Sequence, residues 1–143
     1  MELSNKFEYA MLAMLELAKH YSDGESLHIK EIAALQNIPN RYLEQILATL
    51  RIRGLIKSVR GAKGGYVLAQ QPQKITVLDV FNCMEGADAV KKESTPKTVD
   101  IEVIEEVWQQ AHQAASLVLQ ECTLQDLCEQ LAIRQKIDIM YYI

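Results

Sequence analysis

Much that would assign this chain quickly is missing from it. Six glycines and three prolines in 143 residues leave no room for a collagen-like or proline-rich segment. No apolar run approaches the roughly 20 residues that a membrane span needs. The first residues, Met1 to Lys6, hold no basic stretch followed by an apolar one. A secretory signal is therefore not expected, and a cytoplasmic protein without membrane association is. The three cysteines, Cys83, Cys122 and Cys128, are odd in number, which argues against a disulfide framework. They are also too sparse for a C-x-x-C zinc module. His20, His28 and His112 show no H-x-x-x-H spacing, so surface or capping roles are expected of them. No nucleophile–base pair or carboxylate pair is identifiable, so an enzyme is not expected.

What is present is ordinary globular composition, 49% hydrophobic and 24% charged residues, enough for one domain with an appended element. The net charge of −4 conceals a segregation. Residues 41–74 hold seven basic residues and one acidic residue, a net of +6, whereas residues 75–143 carry a net of −7. A basic footprint of this kind belongs to phosphate contact, and the acidic remainder suits a scaffold with another task.

The pattern of apolar residues divides the first half into short elements. Residues 4–21 read as an amphipathic helix capped by Ser4, with Phe7, Met11, Met14, Leu15, Ala18 and Tyr21 on one face. Residues 29–36 form a second helix. Gln36–Pro39 is a tight connector, with Pro39 suited to the first turn of the next helix. That helix, 40–53, turns Leu43, Ile46, Leu47 and Leu50 inward, carries Arg41, Glu44, Gln45, Arg51 and Arg53 on its other faces, and ends at Gly54. Two helices joined by about four residues, the second basic outside, make a helix-turn-helix pattern. Residues 55–59 and 66–69 then alternate as strands around a glycine-rich turn, Arg60 to Gly65. That turn lacks G-K-[ST] and leads into a strand, so it is no nucleotide phosphate loop. A hairpin directly after such a helix is a wing, and its tip offers Arg60 and Lys63 to a narrow groove or phosphate row. Arg51, Arg53 and Lys57 stand beside it as phosphate contacts.

The second half reads as helices at 77–85, capped by Thr76, and at 99–120, with a polar loop at 87–98 between them. A short last helix follows, capped by Thr123 and turning Leu124, Leu127 and Leu131 inward, and the apolar tail 137–143 receives no assignment. The 99–120 helix has an apolar stripe, Val103 to Leu119, that is too wide for a lone surface helix, and Trp108 reads as interface core. Glu102, Glu105 and Glu106 read as a solvated face. The fold class is mainly α with a small β-hairpin wing.

These residues carry a resemblance. Glu31-Ile32-Ala33, Tyr42 to Leu47, Ser58 to Ala69, Ile75 to Val80 and Glu85-Gly86 occur in an order similar to the IscR/NsrR/CymR-like (Rrf-type) winged-helix transcriptional regulators. The likeness covers residues 1–86 well, and beyond them rests on Trp108 and residues 123–127. It implies a winged helix-turn-helix DNA-binding domain at 1–86, a sensor-type loop at 87–98, and a dimerisation helix with a C-terminal helix at 99–143. It implies a homodimer that places two reading heads on a pseudo-palindromic operator of double-stranded DNA, with repression as the sign. By position, Arg41, Glu44 and Gln45 would reach base edges, Arg60 would enter the minor groove, and Tyr42 would touch phosphate or pack.

Relatives in this family hold an iron–sulfur cluster on three cysteines in the loop that corresponds to 87–98. This sequence has none there, so no cluster of that kind is expected. The alternatives are a cluster or thiol sensor on non-standard ligands, Cys83 with Glu8, or a cluster-free regulator controlled by a partner protein. Cys83 otherwise reads as a small buried hydrophobe, and Cys122 and Cys128 as structural.

Overall fold

The computed structural model describes residues 3–61, 64–86 and 96–141. Six α-helices and one hairpin follow each other: α1 (Asn5–Lys19), α2 (Ile29–Gln36), α3 (Asn40–Ile52), β1 (Ile56–Val59), β2 (Gly65–Leu68), α4 (Val77–Glu85), α5 (Val99–Glu121) and α6 (Leu124–Tyr141). A single turn of 3-10 helix, Pro72–Lys74, leads into α4. The mainly helical, winged architecture read from the sequence is the one observed.

Local chemistry sets the boundaries. The Ser4 hydroxyl accepts from the Phe7 N–H at 3.1 Å and starts α1. Reciprocal capping boxes start α4, between Thr76 and Asp79, and α6, between Thr123 and Asp126. His28 caps α2 through Nδ1, which accepts from the Lys30 N–H at 3.2 Å. Helix α1 ends two residues short of expectation, at Lys19, and Tyr21 lies in the exposed turn that follows. Pro39 stands at the N-cap of α3 and not inside its first turn. The connector turns on Asn37, whose φ of 53° closes α2 in the left-handed region where asparagine is tolerated. At the far end, α6 is no short helix. It runs 18 residues into the apolar tail, because nothing between Leu124 and Tyr141 is glycine or proline.

The core lies almost entirely in the first half. Apart from Leu124, every buried apolar residue falls between Phe7 and Met84. Met14, Ile32, Leu43, Leu47, Leu50 and Ile56 are among its largest enclosed members, with Ile75, Met84 and Leu124. Phe7 and Phe81 meet edge to face, with centroids 5.4 Å apart. One charged residue is buried with them. Glu16 accepts from Gln36 Nε2 and from Lys19 Nζ, which links α1 to α2.

The hairpin pairs Ile56 with Leu68 and Val59 with Gly65. Its base is tied to the segment before α2, where Leu27 and Tyr66 exchange two backbone hydrogen bonds of 3.0 and 2.8 Å. Gly65 permits that approach, since a Cβ there would lie 2.4 Å from the Leu27 carbonyl oxygen. A second pair of backbone bonds, Val77 N–H to Cys122 O and Leu124 N–H to Ile75 O, fastens the start of α6 beside the start of α4. Between these anchors α5 contributes no buried residue at all.

Candidate nucleic-acid interface

Helix α3 is positioned from beneath. Leu43, Leu47 and Leu50 are fully enclosed and fix its roll against α1, α2 and α4. The opposite side therefore faces outward, and there Arg41, Tyr42, Glu44, Gln45 and Arg51 are all exposed. Lys57 on β1 and Arg60 just beyond it are exposed beside them. Lys63 lies outside the described residues. Each expected contact among the described residues is thus exposed to solvent.

The electrostatics of this surface are uncommitted. Among the described residues, none of Arg41, Glu44, Arg51, Lys57 and Arg60 enters an ion pair. The start of α3 is open as well. It is the one described α-helix whose N-cap side chain accepts no hydrogen bond, because that residue is Pro39. Its positive dipole end suits a phosphate, although the Tyr42 N–H already donates to the Pro39 carbonyl at 3.1 Å.

Two contacts were not foreseeable from sequence. The Tyr42 ring, 58% exposed, tilts against Tyr9 of α1 with centroids 6.2 Å apart. Tyr9 gave no signal, since it lies off the apolar stripe that marked α1. Arg53, expected at phosphate, is also close enough to Cys83 to favour its thiolate.

The two residues named as non-standard cluster ligands stand apart in character. Cys83 is 5% exposed, with Sγ 3.9 Å from the Thr49 carbonyl. Burial pushes its thiol above the ordinary range, opposed by the Arg53 charge. Glu8 is exposed on α1, and the 87–98 loop contains no cysteine. Cys122 and Cys128 sit around the start of α6, with burial again the first cause that raises both thiols. Among the described residues no three potential metal-binding side chains gather. Within one chain, the donor set does not fit an iron–sulfur cluster, which takes cysteine thiolates at most or all of its positions.

Comparison with known proteins bears on this surface. Residues 3–130 match the Rrf2 family model, described as iron-dependent transcriptional regulators. The HTH-type transcriptional regulator CymR of Bacillus subtilis is 37% identical over 131 residues, covering 89% of each chain. Among solved structures, T. potens IscR superposes with a TM-score of 0.77 at 36% identity, covering 92% of this chain and 88% of that one. CymR (YrzC), the global cysteine regulator of B. subtilis, superposes with a TM-score of 0.75 at 35% identity, over 91% of this chain and 98% of that one.

Proposed function

The chain belongs to the Rrf2 family of DNA-binding transcriptional regulators, and from that premise we propose how it reads DNA. Two copies bind a pseudo-palindromic operator as a homodimer. Helix α3 enters the major groove, with Glu44 accepting from a cytosine amino group and Gln45 pairing with adenine. Arg41 reaches a base edge beside them, Arg51 and Lys57 meet phosphates, and Arg60 at the wing enters the adjacent minor groove, with Lys63 following it in sequence. Binding represses by covering the promoter.

The single observation that carries this reading is the exposed row Arg41–Tyr42–Glu44–Gln45 above an enclosed leucine layer, continued by unpaired Lys57 and Arg60. The exposed stripe of α5 supports the homodimer, since Val103, Ile104, Val107 and Trp108 form a face with no partner among the described residues of the single chain.

Binding to an operator selected from a random DNA pool tests it. Arg60→Ala is expected to weaken binding by about 1–3 kcal/mol and to flatten the salt dependence. Unchanged affinity with an unchanged salt slope removes the wing from the interface. Glu44→Ala is expected to relax base preference at one position more than it weakens binding. A uniform loss across all sequences would place Glu44 outside base reading.

The input to this regulator is proposed to be cluster-free. The absence of cysteine from 87–98 and the unsuited donor set within one chain support that reading, with control left to a small molecule or a partner protein. Iron and sulfide assays with a visible spectrum on protein purified without oxygen test it. Stoichiometric iron with a visible band would reverse the reading and make Cys83 and Glu8 the first variants.

A further inference from the structure

A cavity of about 600 Å³ opens between the start of α1, the flank of α3 and the end of α4. Its size falls in the range of small-molecule sites. Its composition is selective. Ile46 and Met84, both almost fully buried, form an apolar floor. The two phenol rings of Tyr9 and Tyr42 stand beside it. The carboxamides of Asn5 and Gln45, both exposed, border the mouth, as does Lys6. Thr49 also lines it, its hydroxyl occupied in donating to the Gln45 carbonyl at 3.0 Å. The 2.7 Å hydrogen bond from the Ser4 hydroxyl to Glu85 clips α1 to α4 next to this opening. Among the described residues no carboxylate, thiol or imidazole lines the cavity, so the lining that is described is not that of a cation site.

We propose that this cavity binds a flat heteroaromatic molecule with a donor–acceptor edge, of the kind a purine presents, and that such binding releases DNA. A carboxamide displays one donor and one acceptor side by side, which matches that edge in two parallel hydrogen bonds. The tyrosine rings supply a stacking face, and the floor accepts the apolar part of the ring. The coupling follows from shared residues. Tyr42 and Gln45 belong both to the cavity and to the row assigned to DNA, so one amide cannot serve ligand and base edge together. Linkage then requires each ligand to weaken the other by the same factor. This regulation rests on the reading that α3 enters the groove.

Adenosine is the probe. Calorimetry on the DNA-free chain measures its binding, and a mobility shift with the selected operator measures its effect on DNA. The expected result is saturable binding of adenosine, with operator affinity weakened on the order of 10-fold at saturation. Asn5→Ala, which alters the cavity outside the row assigned to DNA, and Tyr9→Ala, which also removes the ring that Tyr42 tilts against, should each abolish both effects, and Asn5→Ala should leave operator affinity without adenosine within about 2-fold of the native value. Circular dichroism and thermal melts check that each variant folds. Absence of adenosine binding, or binding of salicylate but not adenosine, overturns the ligand class. Adenosine binding that leaves operator affinity unchanged overturns the coupling. Adenosine binding that survives both substitutions places the site elsewhere. If adenosine binds as expected but Gln45→Ala leaves operator affinity and base preference untouched, it is the interface reading that fails, and the cavity stands without its link to DNA.

Discussion

The two halves of this chain bury themselves in opposite ways. Between Phe7 and Met84 the helices and hairpin enclose a continuous core and leave a basic, hydrogen-bonding surface outside. Beyond residue 98 the relation is inverted. Helices α5 and α6 bury one side chain between them, Leu124, and display valines, isoleucines and a tryptophan to the exterior. The first half finds its partners within itself. The second carries apolar surface that a single chain does not cover, which is how an element behaves when its core is completed by another molecule.

Substitution in the two halves should therefore differ in kind. The largest effect is expected at Leu47, fully enclosed beneath α3, where Leu47→Ala should lower unfolding free energy by about 2–5 kcal/mol in urea titrations. That loss should not vary with protein concentration. The matching change on α5, Val107→Ala on the face proposed to meet a second copy, should give a loss that does, because a side chain completed by a second copy is stabilised by mass action. Equal, concentration-independent losses would erase the contrast between the halves. Next in size, Trp108→Glu, at a position 75% exposed in one chain, should convert dimer to monomer in sedimentation. It should weaken operator binding by roughly 100-fold through loss of the second reading head. A variant that remains dimeric with full affinity would move the interface off this face.

The smallest test compares thiols. Cys83 lies in the enclosed half, whereas Cys122 is only partly covered. Burial raises both, with Arg53 opposing at Cys83 and Asp126 adding at Cys122. Raised thiols hold less thiolate at neutral pH, so alkylation by iodoacetamide should be slow for both and accelerate as pH rises past the ordinary cysteine range. Single-cysteine variants should show Cys122 reacting on the order of 10-fold faster than Cys83, because access adds to ionisation. The reverse order would mean that the α3–α4 contact opens readily in solution.

The elements legible in the sequence are those whose signals are local. Ser4, Thr76 and Thr123 announce their helices because a cap and its partner lie three residues apart. The leucines of α3 and the glycine-rich wing likewise declare themselves by spacing. The misplaced or unassigned parts depend on distant contacts or on patterns without a period. Glu16 sits within an apolar stripe yet is buried, because Gln36, twenty residues on, supplies its hydrogen bond. The tail at Ile137, Ile139, Met140 and Tyr141 is apolar on more than one face, so no periodicity marks it as the end of α6. Of the interface, residue types and order were legible. The tilt of Tyr42 against Tyr9, and the cavity beside it, exist only once α1 and α3 have packed.

The bond pair between Leu27 and Tyr66 has a mechanical consequence. Because Gly65 lets the backbones touch, the root of the wing is welded to the strand-like segment before α2. A displacement of the wing root is thus passed to the segment that leads into α2. The same weld limits how lineages can vary. An insertion at the root would break the Leu27–Tyr66 bond pair and separate the hairpin from the segment before α2.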